Sequence, residues 1–308
     1  MERFLEFIQS FIGLFGELLL LFIGITFLVG ILQEYVKDET IKKILGKGKN
    51  GVGNIVGAFL GSLTPFCTCS TIPVMLGLLK AGVPFGITMS FFFASPLLNP
   101  IIIGLMWMLF GLNITIVYVA IIFPVSVMIG IVLEKFGYAD SIKAVRIANE
   151  QQSACCEVEA EEGFWNIAKP RIRRSANYAM NLFRQMFPYL VLGSAIGAFI
   201  AGYVPEAFIV RIAGPDTLFS IPVASIIGIP MYIRGATILP IGSILVEQGM
   251  NMGAVMALII GGAGASLPEL TMLSSIFSRK LLITYIITVI GLAIFTGYLF
   301  NFLLRIGL

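Results

Sequence analysis

Long apolar stretches alternate with short polar interruptions along almost the whole chain. The first, residues 11 to 32, is interrupted only by Glu17 and Thr26 and supplies the ~20 residues that a helix needs to cross a bilayer core. Further apolar segments run at 52 to 79, 83 to 110 and 114 to 133, then, beyond a polar stretch, at 186 to 204, 218 to 246, 251 to 276 and 281 to 303. Continuous runs of this length exclude the alternating strands of a membrane barrel and leave helices as the way to satisfy the backbone in lipid. The pattern predicts an all-α polytopic integral membrane protein.

The polar stretch between the two sets of segments holds Glu157, Glu159, Glu161 and Glu162 beside Lys169, Arg171, Arg173 and Arg174, as a solvated linker does. It divides the chain into a first membrane repeat (1 to 134), a cytoplasmic linker (135 to 184) and a second membrane repeat (185 to 308). The halves match at a constant offset through Ser70/Thr237, Pro73/Pro240, Gly82/Gly249 and Gly86/Gly253. In each, a Gly- or Pro-containing break precedes a Ser or Thr able to cap a helix, with Pro three residues on in the first turn. A helix that restarts inside the membrane fits this pattern.

Basic residues set the orientation. Lys37, Lys42, Lys43, Lys47 and Lys49 in one loop, and Arg171, Arg173 and Arg174 in the linker, should both face the cytoplasm. Three full crossings between them would separate them, whereas a re-entrant hairpin at 52 to 79 leaves two crossings and keeps both inside. The same treatment of 218 to 246 gives each half an odd number of crossings. The expected fold is therefore two inverted repeats, each with full spans plus a broken or re-entrant helical hairpin. Eight ordinary spans are the alternative.

Composition agrees with lipid as the solvent: 58% of residues are hydrophobic, 12% are charged, and the mean hydropathy is +0.97. The N-terminus has neither a basic n-region nor a small-residue cleavage site, so the first segment reads as a retained span. A net charge of +3 with the basic residues in loops suits lipid headgroups and gives no nucleic-acid surface. The chain contains no histidine, which removes the usual zinc ligand, the commonest general base and the usual haem ligand. That argues against an enzyme and implies no cofactor.

The first break reads Thr64-Pro65-Phe66-Cys67-Thr68-Cys69-Ser70-Thr71-Ile72-Pro73. Amides beginning the next half-helix at Ser70 and Thr71 favour an anion or a thiolate, and two sulfurs one residue apart can hold a soft, thiophilic centre. The second break, Gly228-Ile229-Pro230-Met231-Tyr232-Ile233-Arg234-Gly235-Ala236-Thr237, places Arg234 opposite Cys67 at the repeat offset. A fixed cation near mid-membrane costs on the order of 3 kcal/mol or more unless it faces a cavity, an acid or an anionic solute. Two further breaks, at 94 to 100 and 264 to 269, offer the amide of Asn99 and the carboxyl of Glu269, which could pair with Arg234 or exchange a proton. The expected binding set is thus Cys67, Thr68, Cys69, Ser70, Asn99, Arg234, Thr237 and Glu269. Cys155 and Cys156, in the linker, could capture a soft metalloid, and Gly261-Gly262-Ala263-Gly264 lacks the Lys-Ser/Thr of a phosphate loop.

Thr-Pro-Phe-Cys-Thr-Cys-Ser-Thr-Ile-Pro, followed by Gly-Leu-Leu-Lys-Ala-Gly-Val-Pro and Ala-Ser-Pro-Leu-Leu-Asn-Pro, resembles the ArsP/YraQ family of predicted permeases. The likeness extends through Arg-Gly-Ala-Thr-Ile-Leu-Pro and Ala-Ser-Leu-Pro-Glu-Leu of the second half, and covers nearly all of the chain except the linker. It implies transport. Members associated with arsenic resistance export trivalent organoarsenicals, and the resemblance implies that Cys67 and Cys69 supply the matching thiols. The expectation is an inner-membrane secondary permease exporting such a solute, with lipid and a small molecule as partners and a homo-oligomer left open. Import of a sulfur-containing anion and a membrane thiol oxidoreductase stand as the alternatives. With an odd number of crossings per half and an internal linker, tags at the two chain ends should both be labelled from outside intact cells by an impermeant reagent; labelling of one end alone contradicts the inverted plan.

Overall fold

The structure, a computed structural model, describes residues 51–65, 68–142, 219–230 and 235–306, with separate helical positions between 13 and 27 and between 180 and 195. The first series of helices is α1 (Val52–Leu63), α2 (Thr68–Lys80), α3 (Phe85–Leu97), α4 (Pro100–Phe110) and α5 (Leu112–Lys135), followed by a 3-10 turn at Tyr138–Ser141. The second is α6 (Ser220–Gly228), α7 (Gly235–Glu247), α8 (Met252–Gly264), α9 (Leu267–Ile276) and α10 (Arg279–Ile306). Starts at 235, 252, 267 and 279 each lie 167 residues after starts at 68, 85, 100 and 112. The duplication read from four residue pairs thus runs in constant register through successive helices.

Packing repeats with the same order. In the first series α1 lies on α3 and α5, α2 on α3, and α3 and α4 on α5. In the second, α6 lies on α8 and α10, α7 on α8, and α8 and α9 on α10. Between the series the contacts cross over: α4 lies against α7 and α9 against α2, while α3 meets α8 and α5 meets α10. Exchanging the two series returns the same set of contacts, as an internal two-fold relation requires.

Helix length separates spans from half-spans. α5 and α10, with 24 and 28 residues, are long and apolar enough to cross a bilayer, and α3 with α4 forms a third such stretch of 26 residues. α8 and α9 form a fourth, bent by 43° at the break between them. α1 and α2 have 12 and 13 residues, about 20 Å each at ~1.5 Å per residue, against a core of ~30 Å. The segment from 52 to 79 is accordingly two half-length helices and not one straight span. On α10, Ile283, Ile287, Phe295 and Phe302 are exposed while Leu281, Tyr285, Val289, Leu292 and Phe300 are buried, so the helix is apolar on both faces, as a lipid-facing span is.

Two helix boundaries differ from the sequence expectation. α2 and α7 begin at Thr68 and Gly235, two residues before Ser70 and Thr237, so Pro73 and Pro240 lie inside the helices and not in the first turn. The missing proline N–H forfeits only a bond to the carbonyl four residues back, still within the first turn. Pro96 likewise lies inside α3, and the break falls at Leu98 and Asn99, where Asn99 caps α4 and Pro100 takes its first position. The far ends of the short helices match expectation. Lys80 and Glu247 are the last residues of α2 and α7, and Gly82 and Gly249 take φ values of 79° and 92°. Those left-handed glycines let Val83 N donate to Leu78 O (3.0 Å) and Met250 N to Leu245 O (2.9 Å), closing both helices alike.

Paired glycines bring the long helices together. A Cβ on Gly130 of α5 would overlap Ser90 Oγ and the Gly86 carbonyl of α3, and one on Gly297 of α10 would lie 2.6 Å from the Gly253 carbonyl of α8. Gly130→Leu should therefore lose about 1–3 kcal/mol of stability through overpacking, seen as a lower unfolding midpoint in detergent. Gly104→Leu, at a position where an added Cβ meets nothing within 4 Å, should leave the midpoint unchanged. Equal midpoints for both variants would contradict the close crossing.

Candidate functional site

The breaks of the two series meet. A Cβ on Gly264, the last residue of α8, would lie 3.8 Å from Leu97 Cδ2 at the last residue of α3, and 3.0 Å from Val289 Cγ1 of α10. Each interrupted span therefore ends against its counterpart, at the centre of the contact between the two series. Backbone polar groups here have neither a continuing helix nor bulk water to pair with, and the side chains around them must compensate.

Tyrosine does so twice, at positions 167 residues apart. Tyr118 of α5, fully buried, donates from its hydroxyl to Leu97 O at 3.0 Å. Tyr285 of α10, also buried, donates to Gly264 O. At the start of α4, Asn99 Oδ1 accepts from Ile102 N at 2.8 Å and satisfies one opening amide. The Asn99 oxygen is thus engaged in capping, with the amide nitrogen on the same buried side chain. Ser266, its counterpart, precedes α9 without a side-chain cap bond.

Besides the Asn99/Ser266 difference, polar chemistry at the breaks departs from the duplication at two further places among the described residues. Around the first break, Thr64 Oγ1 stands 3.2 Å from Ser95 Oγ, Thr71 Oγ1 donates to Ser95 Oγ at 3.3 Å, and Thr64 Oγ1 donates to Gly61 O at 2.8 Å. Ser95 and Thr71 are fully buried, and Ser70 is 1% exposed. This hydroxyl cluster ties both edges of the 64–68 break to the third turn of α3. Its counterpart in the second series is apolar: a Cβ on Gly262 would lie 3.0 Å from Ile238 Cδ1.

The second departure is Glu269, in the first turn of α9 and 1% exposed, at the position matching Ile102. Its Oε1 lies 2.6 Å from the hydroxyl of Tyr285. Tyr285 is itself wedged among aromatics, with ring centroids 5.2 Å from Phe93, 5.8 Å from Phe92 and 6.4 Å from Phe277. Phe92 and Phe93 belong to α3, so the carboxyl–phenol pair is built against the opposite series.

Of the residues expected from sequence, Ser70, Asn99 and Glu269 are buried at or beside breaks. Thr68 and Cys69 lie in the first turn of α2, and Thr237 in the first turn of α7. Cys67, Arg234, Cys155 and Cys156 fall outside the described residues. Sequence reasoning missed Tyr118, Tyr285, Thr64 and Ser95, and took Thr71 for its amide and not its hydroxyl. The tyrosines carried a usable signal, because they repeat at the same offset as the proline and glycine pairs.

Comparison with known proteins points to a membrane permease. A family model described as a predicted permease, ArsP_1, matches residues 3–302. The UPF0718 protein YcgR of Bacillus subtilis is 24% identical across 94% of this chain and 96% of its own. The UPF0718 protein YraQ of Escherichia coli is 24% identical across 82% of this chain and 68% of its own. A Streptococcus mutans protein bearing the provisional name of a two-component membrane permease complex subunit is 22% identical across 84% of this chain and 83% of its own. No solved structure matches the chain.

Tyr118→Phe isolates the backbone role of the tyrosines, since it deletes one hydroxyl and leaves the Leu97 carbonyl buried without that donor. A loss of about 1–3 kcal/mol is expected, measured as a lowered unfolding midpoint in detergent; an unchanged midpoint would show that the bond contributes nothing.

Proposed function

The chain belongs to the ArsP_1 family of predicted permeases, and from that premise we propose that it is a secondary permease of the inner membrane exporting a thiophilic small solute, in its most concrete form a trivalent organoarsenical. The observation that carries this reading is the meeting of the interrupted spans at Leu97 and Gly264, beside a buried hydroxyl cluster that frames the Cys67/Cys69 break. Thiolates ligate soft centres in preference to hard cations. Hydroxyls around them supply polar contacts without a fixed charge, as suits an uncharged or thiol-bound arsenical. In this reading Cys67 and Cys69 bind the soft centre, with Thr68, Ser70 and Asn99 beside them, while Arg234, Thr237 and Glu269 form the opposite wall.

The same proposal includes the membrane arrangement. The two series are inverted repeats, and α1–α2 and α6–α7 are hairpins entering from opposite faces. Support comes from the half-length of these helices and from packing that is unchanged when the series are exchanged. The linker lies in the cytoplasm.

One observation favours a second reading, import of a sulfur-containing anion. α2, α4, α7 and α9 all begin at breaks, so four positive helix ends open there, with Arg234 just ahead of α7. Flux into sealed proteoliposomes separates the two. Methylarsenite should move in the parent and fall at least tenfold in Cys67→Ser, with Arg234→Ala affected less; thiosulfate flux that depends chiefly on Arg234 would favour the anion. Equal flux of both solutes in all three proteins would remove these residues from the path.

A further inference from the structure

Both arms of the first hairpin converge on one side chain of α3. α1 approaches α3 closely, since a Cβ on Gly57 would lie 2.6 Å from Ile87 O and one on Gly61 would lie 2.6 Å from Phe91 O. The same register carried one turn further sets Thr64, which closes α1, against Ser95. α2 reaches that serine from beyond the break, through Thr71. Thr64 Oγ1 and Thr71 Oγ1 therefore stand 3.2 and 3.3 Å from one buried oxygen, although Pro65 to Ser70 separate the two threonines along the chain. We infer that Ser95 is a positioning residue of the cysteine break: acting through Thr64 and Thr71, it holds the two ends of segment 65–70 together so that Cys67 and Cys69 close on one soft centre.

Two-point capture requires the second thiol to be within reach of a centre that the first has already bound. Its strength therefore follows the effective concentration of one thiol beside the other. A loop with tethered ends samples fewer shapes than one with free ends, and less ordering remains to be done on binding. A hydroxyl suits the tether because it accepts from one partner and donates to another with no charge to desolvate.

The second series provides the comparison. Gly228 repeats the close approach of Gly61, a Cβ there lying 2.6 Å from Leu258 O. Yet Met231, Ile238 and Gly262 occupy the positions of Thr64, Thr71 and Ser95, so no hydroxyl stands at any of the three. The break between α6 and α7 carries Arg234 and no cysteine, and has no pair of thiols to bring together. α3 itself supplies a control in Ser90, also buried, which accepts from Asn54 Nδ2 of α1 at 3.0 Å. That bond fastens α1 to α3 without touching either edge of the break.

This inference deepens the permease reading and rests on it for the identity of the soft centre, though not for the staple. Cross-linking of the full-length protein tests the staple without any solute. In a Cys155→Ser/Cys156→Ser background, Cys67 and Cys69 are the remaining cysteines. Dibromobimane, which fluoresces once both its arms have reacted with thiols, then reports their proximity, and monobromobimane reports their separate reactivity. The ratio of the two signals should fall severalfold in Ser95→Ala, and also in Thr64→Val and Thr71→Val, which keep the side-chain shape and each remove one hydroxyl. Joining the two threonine changes should lower it no further than Ser95→Ala does. Ser90→Ala should keep the parent ratio even where its unfolding midpoint drops. A parent without cross-linking, a ratio unchanged in Ser95→Ala and both threonine variants, or an equal fall in Ser90→Ala would overturn the staple. For methylarsenite flux in proteoliposomes, Ser95→Ala should raise KM severalfold and keep kcat; an unchanged KM beside a fallen ratio would overturn the role in solute capture. A ratio that responds as expected in a parent that moves no methylarsenite would leave the staple standing and remove the substrate reading alone.

Discussion

Every interrupted helix here is constrained by the lack of water for its backbone. A carbonyl left without a partner in an apolar interior costs several kcal/mol on transfer scales, so a mid-membrane break persists only where side chains take over the missing bonds. Tyr118 and Tyr285 do this from the long neighbouring helices, reaching the last carbonyls of α3 and α8, and Asn99 does it from within the break. Long helices α5 and α10 are therefore more than walls. Their tyrosines are what allow α3 and α8 to stop midway, and the remaining arrangement follows from where those stops are held.

This constraint accounts for what the duplication retained and what it released. Left-handed Gly82 and Gly249, the crossing glycines Gly130 and Gly297, and the two tyrosines all serve the backbone, and all recur at one offset. Side chains at the breaks have diverged, including some that serve the backbone in one series alone, as Asn99 and Thr64 do. Thr64, Thr71 and Ser95 make a hydroxyl cluster in one series where Gly262 and Ile238 close the other, and Glu269 replaces a position held by Ile102. A symmetric scaffold thus carries an asymmetric set of side chains at its breaks.

Much of the scaffold was legible in sequence because lipid makes the rules strict. Apolar runs of about 20 residues have one stable form in a bilayer, and the prolines and glycines at constant spacing located the duplication and the breaks. The exact restart of α2 was not legible. A start at Ser70 would keep Pro73 in the first turn, where proline is tolerated, so the sequence favoured it over the observed start at Thr68. Pro96 misled for the same reason, since its place inside α3 depends on Asn99 and Pro100 providing a better stop just beyond. Glu269 could be singled out as a lone acid in an apolar segment. Its contact with Tyr285 could not, because the two lie 16 residues apart and meet through packing of α9 on α10.

The crossed packing gives the carboxyl–phenol pair its reach. α9 begins at the break that Tyr285 holds, yet it lies on α2, the short helix that follows the cysteine break of the other series. Tyr285 in turn rests on Phe92 and Phe93 of α3, one turn before the Ser95 that binds Thr64 and Thr71. Close-packed interiors transmit displacement because they lack space to absorb it. A shift of the α8 terminus presses on Leu97 and Val289 directly, and a shift of α9 presses on α2. Both routes lead from the acidic break to the edges of the break that carries the thiols. The two chemically unlike breaks are thereby joined through the symmetric part of the fold, with no residue common to both.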